Sequence, residues 1–264
     1  MESHYQHVQA RRQYCIQVSR MLGRAIVDVD AGPVQSREMA LATAAMTEQD
    51  VELKTVPDTY FRNGFLQMLF FLQQMERVGF DLGRVSTALE FGCGSARLLR
   101  LLRCLADVQL IGTDINPLCI DWCHENIPDA TFHINGQQPP LEFLADGSVD
   151  LVLAQSVFTH ISLELQSDWL REIRRILAPG GLFICTVAGS SIAEQQLDAK
   201  ELERLNKEGQ IALAPDHHRV SWSSRHTRQQ DVFQTPERIV EAFGRDFEIL
   251  AFTRFWQDVL VLRT

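Results

Sequence analysis

The 264-residue sequence predicts an α/β fold: a doubly wound, mostly parallel sheet, preceded by a helical N-terminal extension and ended by an antiparallel hairpin. Three observations predict it. From Val85 onward, short apolar strands alternate with helical patterns, as right-handed crossovers in a parallel sheet require. A glycine turn, Gly92-Cys93-Gly94, follows the first of those strands and leads into a helical pattern. At the tail, Phe247 to Thr253 and Trp256 to Leu262 are apolar runs linked only by Arg254-Phe255. So short a link demands a hairpin, and hence antiparallel strands.

Residues 1–83 show helical rather than alternating patterns, with helices expected at Tyr5 to Ile26, Ser36 to Val51 and Asn63 to Val78. Phe65, Leu66, Met68, Leu69, Phe70, Leu72 and Met75 give the third a wide apolar face that must pack on something. Gly32-Pro33 and Pro57 punctuate these segments. The core, residues 84–264, begins with strand Val85–Phe91 and helix Ala96–Leu105, then strand Val108–Thr113 and helix Pro117–Asn126 with Asn116 as its cap. Strand Ala130–Ile134, strand Val149–Ala154, helix Glu164–Leu177 and strand Leu182–Ala188 follow, with Pro179-Gly180-Gly181 stopping the helix. Residues 189–235 exceed what the sheet needs and read as an inserted lid, helical over Glu194 to Lys207.

Composition narrows the function classes. Asp and Glu number 34 against 25 Lys plus Arg, for a net charge of −9, which argues against a broad nucleic-acid-binding face. The apolar runs fall well short of the roughly 20 residues of a membrane helix, so no membrane span is expected. The N-terminus shows no apolar export core, and the six cysteines sit in strand and helix patterns rather than a disulfide framework. Both point to the cytoplasm. Cys119 and Cys123, four apart on a helical pattern, read as packing thiols because no further ligands stand nearby, and no metal is expected. Nothing in the pattern fixes the oligomeric state.

The glycine turn carries the functional signal. The third glycine of a dinucleotide-binding turn would fall at position 97, where Arg97 stands. An acid, Glu90, precedes the turn, and the second strand runs into Asp114, where a carboxylate can accept both hydroxyls of a ribose. Gly92, Asp114, Asn135, Gly136 and Gln155 all fall at the carboxyl ends of expected strands, where such sheets bind ligands.

This pattern resembles the class I S-adenosylmethionine-dependent methyltransferases. Their first motif is an acid followed by Gly-x-Gly-x-Gly, here with Ala96 at the third small position, and their second strand ends in a ribose-binding acid. Asp146 to Ile161 and Leu177-Ala178-Pro179-Gly180-Gly181 look like the same enzymes. The tail hairpin is similar in layout to a seventh strand inserted antiparallel beside the fifth. The resemblance implies a seven-stranded Rossmann-like sheet and S-adenosylmethionine as cofactor. It implies that Glu90 organises the turn and faces the amino-acid end, that Gly92 and Gly94 admit the ligand, and that Asp114 holds the ribose. Ile115 would pack on the adenine, Gly136 and Gln137 would read its nitrogens, and Gln155 would line the methionine end. Arg97 is either a carboxylate partner or a solvated helix residue.

His160, just past the fourth strand, is the candidate base for a hydroxyl acceptor. His217, His218, Trp222 and His226 in the insertion suit a polar or anionic acceptor such as a sugar, and Tyr60 and Arg62 would form the opposite wall or pack in the core. The expected activity is methyl transfer to a small-molecule acceptor, oxygen-bearing and of the sugar-linked kind. Two alternatives stay open: a nicotinamide-dependent oxidoreductase, against which Arg97 stands, and a cofactor-binding module without turnover.

Overall fold

The computed structural model describes residues 2–24, 56–105, 108–214 and 230–264. The elements in chain order are α1 (Glu2–Leu22), α2 (Val56–Arg77), β1 (Thr87–Phe91), β2 (Gln109–Asp114), α3 (Pro117–Asn126), β3 (Thr131–Ile134), β4 (Val149–Ala154), α4 (Leu163–Ile176), β5 (Leu177–Val187), α5 (Ser190–Gln196), α6 (Ala199–Glu208), β6 (Gln210–Leu213), β7 (Asp231–Gln234), α7 (Pro236–Phe243), β8 (Glu248–Thr253) and β9 (Asp258–Arg263). Seven strands form one sheet in the order β3-β2-β1-β4-β5-β9-β8, and β6 and β7 form a separate antiparallel pair. The doubly wound sheet is therefore present, with β9 antiparallel to both β5 and β8.

The contacts divide the described chain into two compact units, one up to Ile134 and one from Asn135 on. In the first, α1 and α2 pack on each other and share the unit with β1–β3, so contact grouping does not follow the compositional boundary at residue 83. The apolar face of α2 is real, and Phe65, Met68, Phe71, Leu72 and Met75 are buried while Leu66 points outward. Tyr14 of α1 is fully buried, and its hydroxyl donates to the carbonyl of Leu101. Pro57 does not separate segments. It lies in the first turn of α2, where its missing N–H costs nothing. The expected helix at Ser36 to Val51 lies outside the described residues.

One expected helix is replaced. Ala96–Leu105 was the helical pattern after the turn, but Leu99–Cys104 forms only a short 3₁₀ helix. Ala96 has φ 55°, in the left-handed region, so no right-handed helix can begin there. The N–H of Leu99 donates to Glu90 Oε2 at 2.7 Å instead of facing outward.

In the second unit, β4 is buried at every position except Asp150, as a central parallel strand should be. Helix α4 buries Trp169, Leu170, Ile173 and Ile176. Strand β5 starts at Leu177 and carries Pro179-Gly180-Gly181 through a register shift, with Gly180 at φ 77°. The hairpin link is longer than the apolar pattern indicated. It spans Arg254 to Gln257 because Trp256, like Phe255, is half exposed rather than paired in a strand.

The insertion has its own small core. Ala188, Ile192, Ala193, Leu197, Leu205, Ile211 and Phe233 form a buried cluster among α5, α6, β6 and β7. The single helix expected over Glu194 to Lys207 is two helices, because Asp198 forms a capping box with Glu201 and starts α6 anew. Gly209 closes α6 at φ 77°.

Gly112 in β2 tests how tightly the first unit is packed. A Cβ there would lie 2.5 Å from the ring of Phe132 and 3.0 Å from Cys93 Sγ. Gly112→Ala is expected to destabilise by about 1–3 kcal/mol in urea titration. The cost should shrink in a Phe132→Leu background, and strictly additive costs would refute the clash as its cause.

Candidate functional site

The glycine turn is built by backbone and then pinned by carboxylates. The N–H groups of Gly92 and Cys93 both donate to the carbonyl of Thr113, at 2.8 and 2.9 Å, as β1 and β2 end side by side. Gly92 has φ 70° and Gly94 φ 52°, conformations that favour glycine. Asp114 Oδ2 accepts from the N–H of Gly94 at 2.7 Å, and its Oδ1 accepts from the N–H of Asn116 at 2.8 Å. Burial raises the Asp114 pKa against these stabilising backbone donors. A carboxylate offers about four acceptor positions, so backbone donors from Gly94, Ile115 and Asn116 do not exhaust it.

Glu90 is buried at 3% exposure. Burial pushes its pKa up to about 7, while the Leu99 N–H and the nearby charges of Arg97 and Arg100 pull it down. The expectation that Glu90 organises the turn thus has a physical form: it accepts from Leu99. Arg97 lies over the Tyr60 ring, 5.5 Å from its centroid, and is half-buried. Arg100, 1% exposed, donates to the carbonyls of Ala96 and Ser95.

Tyr60 is buried at 1%, and its hydroxyl lies 2.6 Å from Ser95 Oγ. The side chain therefore clamps the turn from α2, the packing alternative of the two set out for it. Arg62 bonds to Gln6 of α1 and to Asn63. Ile115 is half-buried beside Asp114. The thiols of Cys93 and Cys123 donate to the carbonyl of Gly94, so these cysteines belong to the packing beneath the turn.

In the second unit, Gly136 and Gln137 follow β3 in an exposed loop. The carbonyl of Gln137 accepts from Trp169 Nε1 at 3.1 Å. Gln155 directly follows β4, and its Nε2 donates to Ser156 Oγ and to Gln257 Oε1. Thr186 Oγ1 and Ser156 Oγ both donate to Gln257 Oε1, at 2.6 and 2.8 Å, and the N–H of Ser156 donates to Thr186 Oγ1. The amide oxygen of Gln155 stays buried with no partner. Sequence reading missed Ser156, Thr186 and Gln257. They come from three separate segments and have no shared local motif. Asp258 is also new: it is buried against Gly189, where a Cβ would sit 1.9 Å from its Oδ2.

His160 Nδ1 lies 3.1 Å from Asp231 Oδ1, the first residue of β7. Asp231 carried no sequence signal, because only long-range pairing brings it there. His217, His218, Trp222 and His226 lie outside the described residues. Among the described residues no group of three His, Cys, Asp or Glu side chains is arranged to hold a metal ion, and no helix is long and apolar enough to cross a membrane.

Comparison with known proteins was consistent with this geometry. A family model described as a methyltransferase domain matches residues 89–185. A ribosomal protein L11 methyltransferase from Thermosipho africanus is 28% identical over 114 residues, 43% of this chain. That match spans 40% of the relative's own length. An S-adenosylmethionine-dependent methyltransferase from Mesorhizobium loti superposes with TM-score 0.52 at 13% identity, over 73% of this chain and 97% of that one. A second, from Methanosarcina mazei, gives TM-score 0.50 at 20% identity over 67% and 92%. These likenesses show the shared fold, and the family match runs along it from β1 to β5. Residues 89–185 thus match a methyltransferase domain, on a fold shared with S-adenosylmethionine-dependent methyltransferases.

Proposed function

We propose that this protein transfers a methyl group from S-adenosylmethionine to a small, oxygen-bearing acceptor of the sugar-linked kind. The observation that carries the cofactor half is the pinned turn: Gly92 and Gly94 in left-handed backbone, with Asp114 bonded to the Gly94 and Asn116 N–H groups at the end of β2. These residues fit the cofactor. Asp114 would take the ribose hydroxyls, Gly92 and Gly94 would let the backbone approach, and Ile115 would pack on the adenine. The unpartnered Gln155 oxygen suits the ammonium of the amino-acid end. Gly136 and Gln137 would meet the adenine edge, and Arg97 would offset the carboxylate charge beside the turn. When bound, the cofactor supplies an activated methyl group on a positively charged sulfur.

The protein's own task is to align the acceptor, exclude water and take a proton. His160 supports an oxygen acceptor, since a hydroxyl gains from a base on transfer. The insertion, residues 189–235, would act as the lid, with Tyr60 fixing the turn rather than the acceptor. Arg62 and the insertion residues His217, His218, Trp222 and His226 remain the proposed acceptor contacts. One observation favours a second reading: the relative from Thermosipho africanus is named as a methyltransferase of a ribosomal protein, which makes a protein acceptor the alternative.

Calorimetric titration with S-adenosylhomocysteine should show saturable one-site binding, and a flat titration would sink the reading. Asp114→Ala removes the charge-assisted backbone hydrogen bonds and the proposed diol partner, and should weaken binding at least about tenfold. His160→Gln should leave that binding intact while label transfer from the cofactor to small acceptors in a cell extract falls. Labelling of protein rather than small molecules would favour the alternative acceptor.

Glu90 gives a pH test. Its folded pKa, about 7, lies above the ordinary 4.5. A raised acid is most favourable when protonated, so its contribution is complete below about 4.5 and is lost as pH rises through about 7. The loss is about 3 kcal/mol for a group this buried. Glu90→Gln should flatten the fall in urea-unfolding free energy across that window, and parallel profiles for the two proteins would refute it.

A further inference from the structure

We propose that Asp231 is a positioning residue for His160: it holds the ring proton on Nδ1 and so leaves Nε2 as the base. This rests on the methyl-transfer reading and names the residue that makes its base competent. Asp231 Oδ1 faces His160 Nδ1 at 3.1 Å. That nitrogen is sealed from solvent, with the carboxylate off the axis of a straight hydrogen bond. The His160 side chain nevertheless keeps 38% exposure. The exposure therefore belongs to the rest of the ring, and Nε2 is the nitrogen left to meet an acceptor.

The pair is set by backbone on both sides. The N–H of Val232 donates to the carbonyl of Thr159 at 2.9 Å, and the N–H of Gln230 donates to the carbonyl of His160 at 3.3 Å. Residues flanking Asp231 are thus bonded to the segment carrying His160. Strand β7 is fixed further along as well: Phe233 bridges Ala188, the Gln234 N–H donates to the Ala188 carbonyl, and Asp231 itself pairs with Leu213 of β6. An incidental surface ion pair has mobile partners and contributes little. Here the two backbones are registered to each other, and one ring nitrogen has no water to turn to.

The chemistry follows from the tautomer. A carboxylate beside Nδ1 favours the proton there, because the alternative would set a lone pair against a negative charge. Nε2 then carries the free lone pair. The acceptor hydroxyl gives its proton to Nε2 as its oxygen forms the bond to the methyl carbon. The electrons of the broken carbon–sulfur bond stay on sulfur, leaving S-adenosylhomocysteine and an imidazolium that Asp231 stabilises. Catalytic hydrogen bonds are often misaligned without substrate and tighten on binding, so the off-axis contact suits this role.

The test is the tautomer itself, read by 15N NMR on the full chain labelled at histidine nitrogens, with S-adenosylhomocysteine present and at a pH where the ring is neutral. His160→Gln assigns the signal. The proposal expects an Nδ1–H ring in the wild type, a move toward Nε2–H in Asp231→Asn, and recovery of Nδ1–H in Asp231→Glu. A wild-type ring protonated on Nε2 overturns it, as does an unchanged tautomer in an Asp231→Asn protein with native circular dichroism. If that variant fails to fold, the wild-type tautomer alone decides. Calorimetry separates the two levels. Absence of S-adenosylhomocysteine binding removes the methyl-transfer reading and the base role with it. Normal binding with the wrong tautomer removes only Asp231.

Discussion

Backbone of positive φ at three of five successive residues does not hold itself. Gly92, Gly94 and Ala96 take 70°, 52° and 55°, and the alanine alone costs about 1–2 kcal/mol relative to ordinary backbone. The turn persists because nearly everything around it is bonded to it. Thr113 takes two N–H groups, Asp114 takes one, and Glu90 takes the Leu99 N–H just beyond. Arg100 holds two carbonyls from below, and Tyr60 reaches the turn from α2. The first unit is organised around this constraint, and its N-terminal helices are part of the scaffold that enforces it.

The scaffold explains why Glu90 is so deeply buried at the cost of a raised pKa. A solvated acid would bond water as readily as Leu99 and would leave the 3₁₀ segment free to rotate. Buried, it has backbone donors in Leu99 and Leu98 and two guanidinium neighbours, which together partly offset its desolvation. Asp114 shows the complementary choice. It is only half-buried, and backbone donors from Gly94, Ile115 and Asn116 fix its orientation. Two carboxylates flank one turn, one spent on structure and one left available to a ligand.

How much of this was legible follows from the range of each interaction. Glycine spacing, the flanking acids and the strand alternation are local, and the sheet and the turn were read from them correctly. The hairpin direction was legible because a short link leaves no other choice, although the half-exposed Trp256 made the second strand seem to start early. The helix after the turn was misread for a physical reason: Leu98, Leu99, Leu101 and Leu102 fit a helical face, and the pattern cannot show that Ala96 is left-handed. Tyr60 was ambiguous because aromatic residues before a helix serve pockets and cores alike. The Ser156, Thr186 and Gln257 network, and the meeting of His160 with Asp231, depend on pairing between distant segments. No local pattern contains that information.

The same distinction bears on how the two halves of the chemistry are supported. The proposed cofactor residues Glu90, Gly92, Gly94 and Asp114 are held by bonds inside the first unit. Asp231 is delivered by β7, which pairs with β6, and Phe233 beside it sits in the insertion's own cluster with Leu205 and Ile211. Loosening that small cluster would shift the carboxylate against His160 while the bonds that pin the glycine turn stayed whole. The proposed cofactor contacts and the proposed His160–Asp231 pair therefore rest on different parts of the hydrophobic packing. The proposed pair needs only that β7 still bonds back to Thr159 and His160.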